Sequence, residues 1–173
     1  MTQLSCLMAK ISTSIVAVVG SFLSLTAAEA AESVKVTCEL QASTPTVIAT
    51  FSNQNVSQTT PILSFPSKYF SAPQASQDCQ STADKLHTFY SQNKMNYLAS
   101  DAIDGKPVVC AVERRGLSCD SYNSDILFSL NQSVNPNELL YKMLGKDFKG
   151  SKPPSSRTIS RIYTDLRPLW WPF

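Results

Sequence analysis

This 173-residue chain has one histidine, His87, and five glycines. A single imidazole excludes metal centres built from several histidines and leaves one ring for acid–base work. The glycines are too few and too scattered for a loop whose backbone cradles phosphate. No pair of cysteines has the C-x-x-C spacing of a zinc ribbon or a thioredoxin-type redox centre. Charged residues make up 16% of the chain and the formal net charge is +2, which argues against nucleic acid as a partner. The regular acidic spacing of a calcium loop is missing, and no cofactor or metal is expected. Asp101 and Asp104 flank a strand end, but Asp104-Gly105 is accounted for as a turn. Beyond residue 30 no apolar run approaches the roughly 20 residues that span a bilayer.

The one long apolar run lies near the N-terminus, at residues 11–25 after Lys10, and Ala28-Glu29-Ala30 follows with small residues around a cleavage point. This is the pattern of a signal peptide over residues 1–30, so the chain is expected to be exported. Residues 31–145 then read as one domain and residues 146–173 as a basic linker and aromatic tail. Cys38, Cys79, Cys110 and Cys119 remain after cleavage. An even count outside the reducing cytoplasm predicts two disulfides.

Residues 34–40 alternate apolar and polar, the period of a half-buried strand, which places Cys38 inward with Val34, Val36 and Leu40. Residues 46–51 are β-branched and aromatic and predict a second strand. A polar hairpin loop is expected over 52–60, then a third strand over 61–65 with Pro61 at its first position. Ser71 and Gln74 form a capping-box pattern, and Ala75, Cys79, Thr82, Leu86 and Phe89 recur on one helical face. Strands over 97–103 and 106–112 flank the Asp104-Gly105 turn, and another covers 125–130. Asn135-Pro136-Asn137-Glu138 is a helix start with a favourable cap, proline at the first helical position and a capping-box glutamate. Leu139, Leu140, Met143 and Leu144 form its buried face and Gly145 its stop. A flexible linker over 146–156 and a final edge strand over 157–166 complete the chain. The fold class is therefore α+β: a single domain, a mostly antiparallel sheet of about six strands with two helices on one face, and two disulfides.

A tight turn at residues 113–116 places Cys110 opposite Cys119 on adjacent strands. Opposed Cα atoms roughly 4.5–5.5 Å apart suit a disulfide. Cys38 is left to pair with Cys79, joining the first strand to the first helix. Both bridges are structural in this reading, and Arg114 and Arg115 at the turn remain as a contact surface.

Cys38, the run 45–49, Ile62 to Phe65 with Tyr69-Phe70, and Cys79 within a helix come in a recognisable order. The run 108–112, Cys119, the run 127–130, and Asn135-Pro136-Asn137 followed by Leu140 and Leu144 continue it. This arrangement resembles the circadian-oscillating-protein family of cyanobacteria from about residue 34 to 145. It departs at Val36 and Phe65, where the family pattern carries an aromatic residue and a tryptophan. The resemblance implies an exported cyanobacterial protein of the periplasm, thylakoid lumen or exterior, with peripheral membrane association as an open expectation. It brings no catalytic residues.

His87 reads as a half-exposed helix residue with Asp84 one turn before it and no serine or cysteine poised beside them. Asn55-Val56-Ser57 and Asn131-Gln132-Ser133 match a glycosylation pattern but read as polar loops. From Lys146 onward six Lys or Arg face two Asp, and Trp170 and Trp171 close the tail. Such a tail suits either a membrane interface or a fold-back onto the sheet. The leading expectation is a non-catalytic exported domain whose partner is a membrane surface or a membrane-bound protein. A small secreted hydrolase using His87 and a protease-inhibitor-like module presenting Arg114 and Arg115 are the alternatives.

Overall fold

Alternating side chains draw the first half of the chain into an antiparallel meander: β1 (Ser33–Glu39), β2 (Thr46–Ser52) and β3 (Ser57–Ser64), paired in that order. The computed structural model describes residues 33–40, 43–53, 56–94, 96–131, 134–150, 153–154, 161–168 and 170. The expected signal peptide, Asn55, Ser133, Arg157 and Trp171 lie outside these residues. α1 (Ala72–Gln92) packs on β1 and β2 and reaches one strand, Ser124–Ser129, of a second sheet. That sheet comprises β4 (Tyr97–Ile103), β5 (Lys106–Val112), β6 (Ser124–Ser129) and β7 (Tyr163–Asp165), in the order β6-β5-β4-β7. α2 (Pro136–Met143) packs on β4 and β5.

The α+β class, the antiparallel pairing and the two disulfides agree with the sequence reading. The strands divide between two sheets, where one was expected. The outer edge of β3 is occupied by the exit of α2, through a bridge between Leu63 and Leu144 and a 2.8 Å bond from the Gly145 N–H to the Ile62 carbonyl. The halves join through side chains instead. Phe65, Phe70 and Phe128 meet edge-on at 5.1–5.8 Å, in a core shared with Val47, Phe51, Leu86, Leu98 and Leu140. Each edge-on pair adds about 0.5–1.5 kcal/mol beyond the area it buries.

Several local expectations change. β3 runs through the expected polar loop, with hydroxyl pairs Thr50–Thr59 and Ser52–Ser57 at 3.0 and 3.2 Å. Pro61 therefore sits inside the strand, tolerated because β3 is an edge strand and its pairing shifts register there. Leu40 is exposed because β1 ends at Glu39. Ser71 caps α1 through its backbone alone, without the expected side-chain bond. Asn135 does cap α2, accepting from the N–H groups of Asn137 and Glu138 at 2.9 and 3.2 Å, while Glu138 pairs with Lys142 one turn on.

Part of the expected linker is folded. Lys146–Phe148 forms a 3₁₀ turn with Phe148 buried, and Asp147 accepts a hydrogen bond from the buried Thr60 hydroxyl. Residues 157–160 of the expected final strand lie outside the described residues; of the rest, Tyr163–Asp165 pairs with Tyr97–Ala99. It is held by the buried Leu166, whose N–H bonds the Asn96 carbonyl and whose carbonyl accepts from the Tyr90 hydroxyl. Burial pushes the Tyr90 phenol far up, so it stays a hydrogen-bond donor.

Candidate contact surface

β5 is apolar from Pro107 to Val112, and a run without alternation needs cover on both faces. The main core covers one. On the other, Ala99, Val108, Cys110, Val112 and Cys119 form a separate small cluster, beneath the chain that links β5 to β6. Residues 113–123 thus form a loop folded over the second sheet. The expected tight hairpin, which returned residues 117–119 alongside β5, does not form. The strand beside β5 is β6, and Cys110 lies in register with Ile126. Cys119 meets Cys110 from above the sheet at a Cα separation of 5.6 Å, and Cys38 meets Cys79 at 5.6 Å. Both pairings match the sequence reading, the first by a different geometry. The two bridges are consistent with an oxidising, exported location.

The loop is held in place from three sides. Asn123 Nδ2 donates to Glu113 Oε2 at 2.9 Å, closing its base. Within it, the Ser121 N–H bonds the Ser118 carbonyl, the Ser118 N–H bonds Ser121 Oγ, and Ser124 Oγ donates to the carbonyls of Cys119 and Ser121. Beneath it, Asp101 Oδ2 accepts from the Cys119 N–H at 3.2 Å and from Arg161 Nε at 2.6 Å, and the Tyr163 hydroxyl donates to the Leu117 carbonyl at 2.8 Å. Burial acts to raise the Asp101 carboxyl, but the bond from Arg161 and those from the Ala102 and Cys119 N–H groups together hold it below the ordinary carboxylate range. Asp104 belongs to the turn with Gly105, both at positive φ, so the two carboxylates serve separate purposes.

Of the expected contact residues, Arg114 is exposed on this loop, and Arg115 stacks its guanidinium 5.1 Å over the Tyr97 ring. Sequence reasoning missed Tyr122, which is fully exposed on the other arm. The signal was an aromatic residue within a run of serine, asparagine and aspartate, where a core position was ruled out. Trp170 lies elsewhere, its ring edge-on to Phe51 of β2 at 5.3 Å.

His87 is exposed on α1 and accepts a long 3.5 Å bond from the Val36 N–H at Nδ1. Asp84 accepts instead from Gln80 Nε2 at 3.3 Å. His87 shares a groove of about 500 Å³ with Ser33, Tyr90, Ser91 and Arg167. Among the described residues no hydrogen bond joins a serine of that groove to His87, and no three side chains converge as metal ligands. No described helix is long and apolar enough to cross a membrane.

The class is thus a disulfide-stapled α+β domain with an ordered surface loop. The model of the family described as circadian oscillating protein COP23 matches residues 35–170, and the chain belongs to that family. The match extends past residue 145, to include the 3₁₀ turn and β7. Neither a curated protein nor a solved structure matches the chain.

Proposed function

We propose that this chain is a non-catalytic exported binding domain that docks on a membrane surface or a membrane-bound protein through residues 113–123. The observation that carries the reading is Tyr122, an aromatic ring with full exposure on a loop cross-linked to the sheet and bonded within itself. Ordering such a loop costs conformational entropy, so a partner that meets it in place avoids that cost on binding. Tyrosine with arginine beside it is the composition of an interface anchor. The hydrolase reading has weaker support, since His87 is exposed and accepts its hydrogen bond from a backbone N–H. The inhibitor reading needs an extended segment, whereas residues 113–116 are bends and a turn, with Gly116 at φ 94°. Co-sedimentation with membranes of the source organism tests the proposal. The double variant Arg114→Ala/Tyr122→Ala should keep the wild-type melting temperature and lose sedimentation. Unchanged sedimentation of that variant would reject the loop as the contact.

A further inference from the structure

The loop carries four formal charges, Glu113, Arg114, Arg115 and Asp120, which sum to zero. Their placement is uneven. Glu113 is bonded to Asn123, Asp120 to the Ser118 hydroxyl, and Arg115 rests on Tyr97. Arg114 has no ion pair or ring contact among the described residues. The Glu113–Asn123 bond draws the two arms together, so Arg114 and Tyr122 are the next residues inward on opposite arms of one clasp. Ile126, 40% exposed, continues the apolar side along β6 over the same face as Cys110. The surface therefore presents a projecting phenol ring and a guanidinium held by no ion pair or ring among the described residues, with an exposed isoleucine on the adjoining strand.

We infer that the occupant of this surface is a protein offering an apolar slot for Tyr122 with a carboxylate on its rim for Arg114. This rests on the loop being the contact surface, and it names the chemistry of the partner. Charge complementarity favours it over lipid. A bilayer attracts through summed positive charge, which here is zero, and one ring is a small apolar insertion. A carboxylate, by contrast, receives the guanidinium fork in a bidentate pair that a lone arginine satisfies. Tyrosine brings large area at low side-chain entropy, as an anchor in a partner's pocket requires.

The test uses the full chain with a benzophenone amino acid in place of Tyr122, and a control chain carrying it at Lys35, exposed on β1 of the other sheet. Both are expressed in the source cells and illuminated. A discrete protein adduct is expected from position 122 and not from 35. Its cross-linked peptide should hold Asp or Glu, and Arg114→Glu should cut its yield by roughly tenfold or more, the scale of a lost charge pair at an interface. Near-ultraviolet circular dichroism checks that the Arg114→Glu chain is folded, and Arg114→Lys should restore part of the yield. Lipid adducts, a peptide without carboxylates, or a yield indifferent to Arg114→Glu would overturn the inference and leave the loop standing as a contact. No excess of adduct at 122 over 35 would overturn both.

Discussion

Gly145 lies against the backbone of Pro61, so close that an added β-carbon would sit 1.8 Å from the Pro61 carbonyl oxygen. The sequence places Gly145 as the stop of α2, but α2 already ends at Met143 and the Gly145 φ of −65° is not that of a left-handed glycine cap. Glycine is needed here for proximity. Its N–H bonds the Ile62 carbonyl at 2.8 Å, which fastens the exit of α2 along β3.

Gly145→Ala should therefore destabilise the domain by about 2–3 kcal/mol, the upper part of the range for overpacking a close contact. The backbone must move, since the obstructing atoms are themselves backbone. Urea unfolding with fluorescence detection would measure the change, and a variant as stable as wild type would contradict the close approach.

Much of the fold was legible where one physical signal acted alone. β4 and β5 have the expected bounds because Asp104-Gly105 fixes the turn between them. α1 buries Ala75, Cys79, Thr82, Leu86 and Phe89 as their three- and four-residue spacing requires. Where two signals competed, the reading failed. The polar stretch at residues 57–60 resembled a loop, but it forms strand because β2 supplies its hydrogen bonds. The contact loop was misread because the apolar run in β5 was credited to a simple hairpin, when it called for cover on both faces. Tyr122 followed from that error: with residues 117–119 folded into a hairpin arm and the chain beyond them unread, nothing singled it out.

The two disulfides should differ in what their loss does. Cys38–Cys79 spans 41 residues and joins β1 to α1. Its removal by paired serine substitutions should cost about 3–4 kcal/mol in the loop-entropy picture. Cys110–Cys119 spans 9 residues and closes a shorter loop, for which about 2.5 kcal/mol is expected. Its loss should raise amide exchange in residues 113–123 before the rest of the sheet responds. Equal exchange across both sheets would show that the bridge holds the whole domain and not the loop.

Inside α1, Thr82 is fully buried and its hydroxyl has no hydrogen-bond partner among the described residues, as is true of Asp78 Oδ2 one turn earlier. Thr82→Val removes the orphan hydroxyl at nearly constant shape and should stabilise by on the order of 1 kcal/mol. Burial raises the Asp78 carboxyl above its ordinary value, against a weaker opposing bond from Gln74. A carboxyl raised in the folded state is protonated in both states in strong acid and costs stability once the pH climbs above its unfolded value. Asp78→Asn should thus match wild type in strong acid and melt at a higher temperature near neutrality. A melting temperature below wild type for either variant would reveal a partner for the group removed.

Asp101 works in the opposite direction, and it links the contact loop to the C-terminal strand. Its carboxyl is depressed overall, because the bonds from Arg161, Ala102 and Cys119 outweigh the effect of burial. A depressed carboxyl contributes stability that is complete above its unfolded value and is lost as the pH falls through the lower folded one. Asp101→Asn should therefore lower the melting temperature near neutrality, with the gap to wild type closing in strong acid. Because the same carboxylate receives the Cys119 N–H and Arg161, the substitution should speed amide exchange in both residues 113–123 and β7. Faster exchange in β7 alone would mean that the Cys110–Cys119 bridge and the Ser118–Ser121 and Ser124–Ser121 bonds fix the loop without Asp101. In that case Arg114 and Tyr122 would keep their positions when the C-terminal strand detaches.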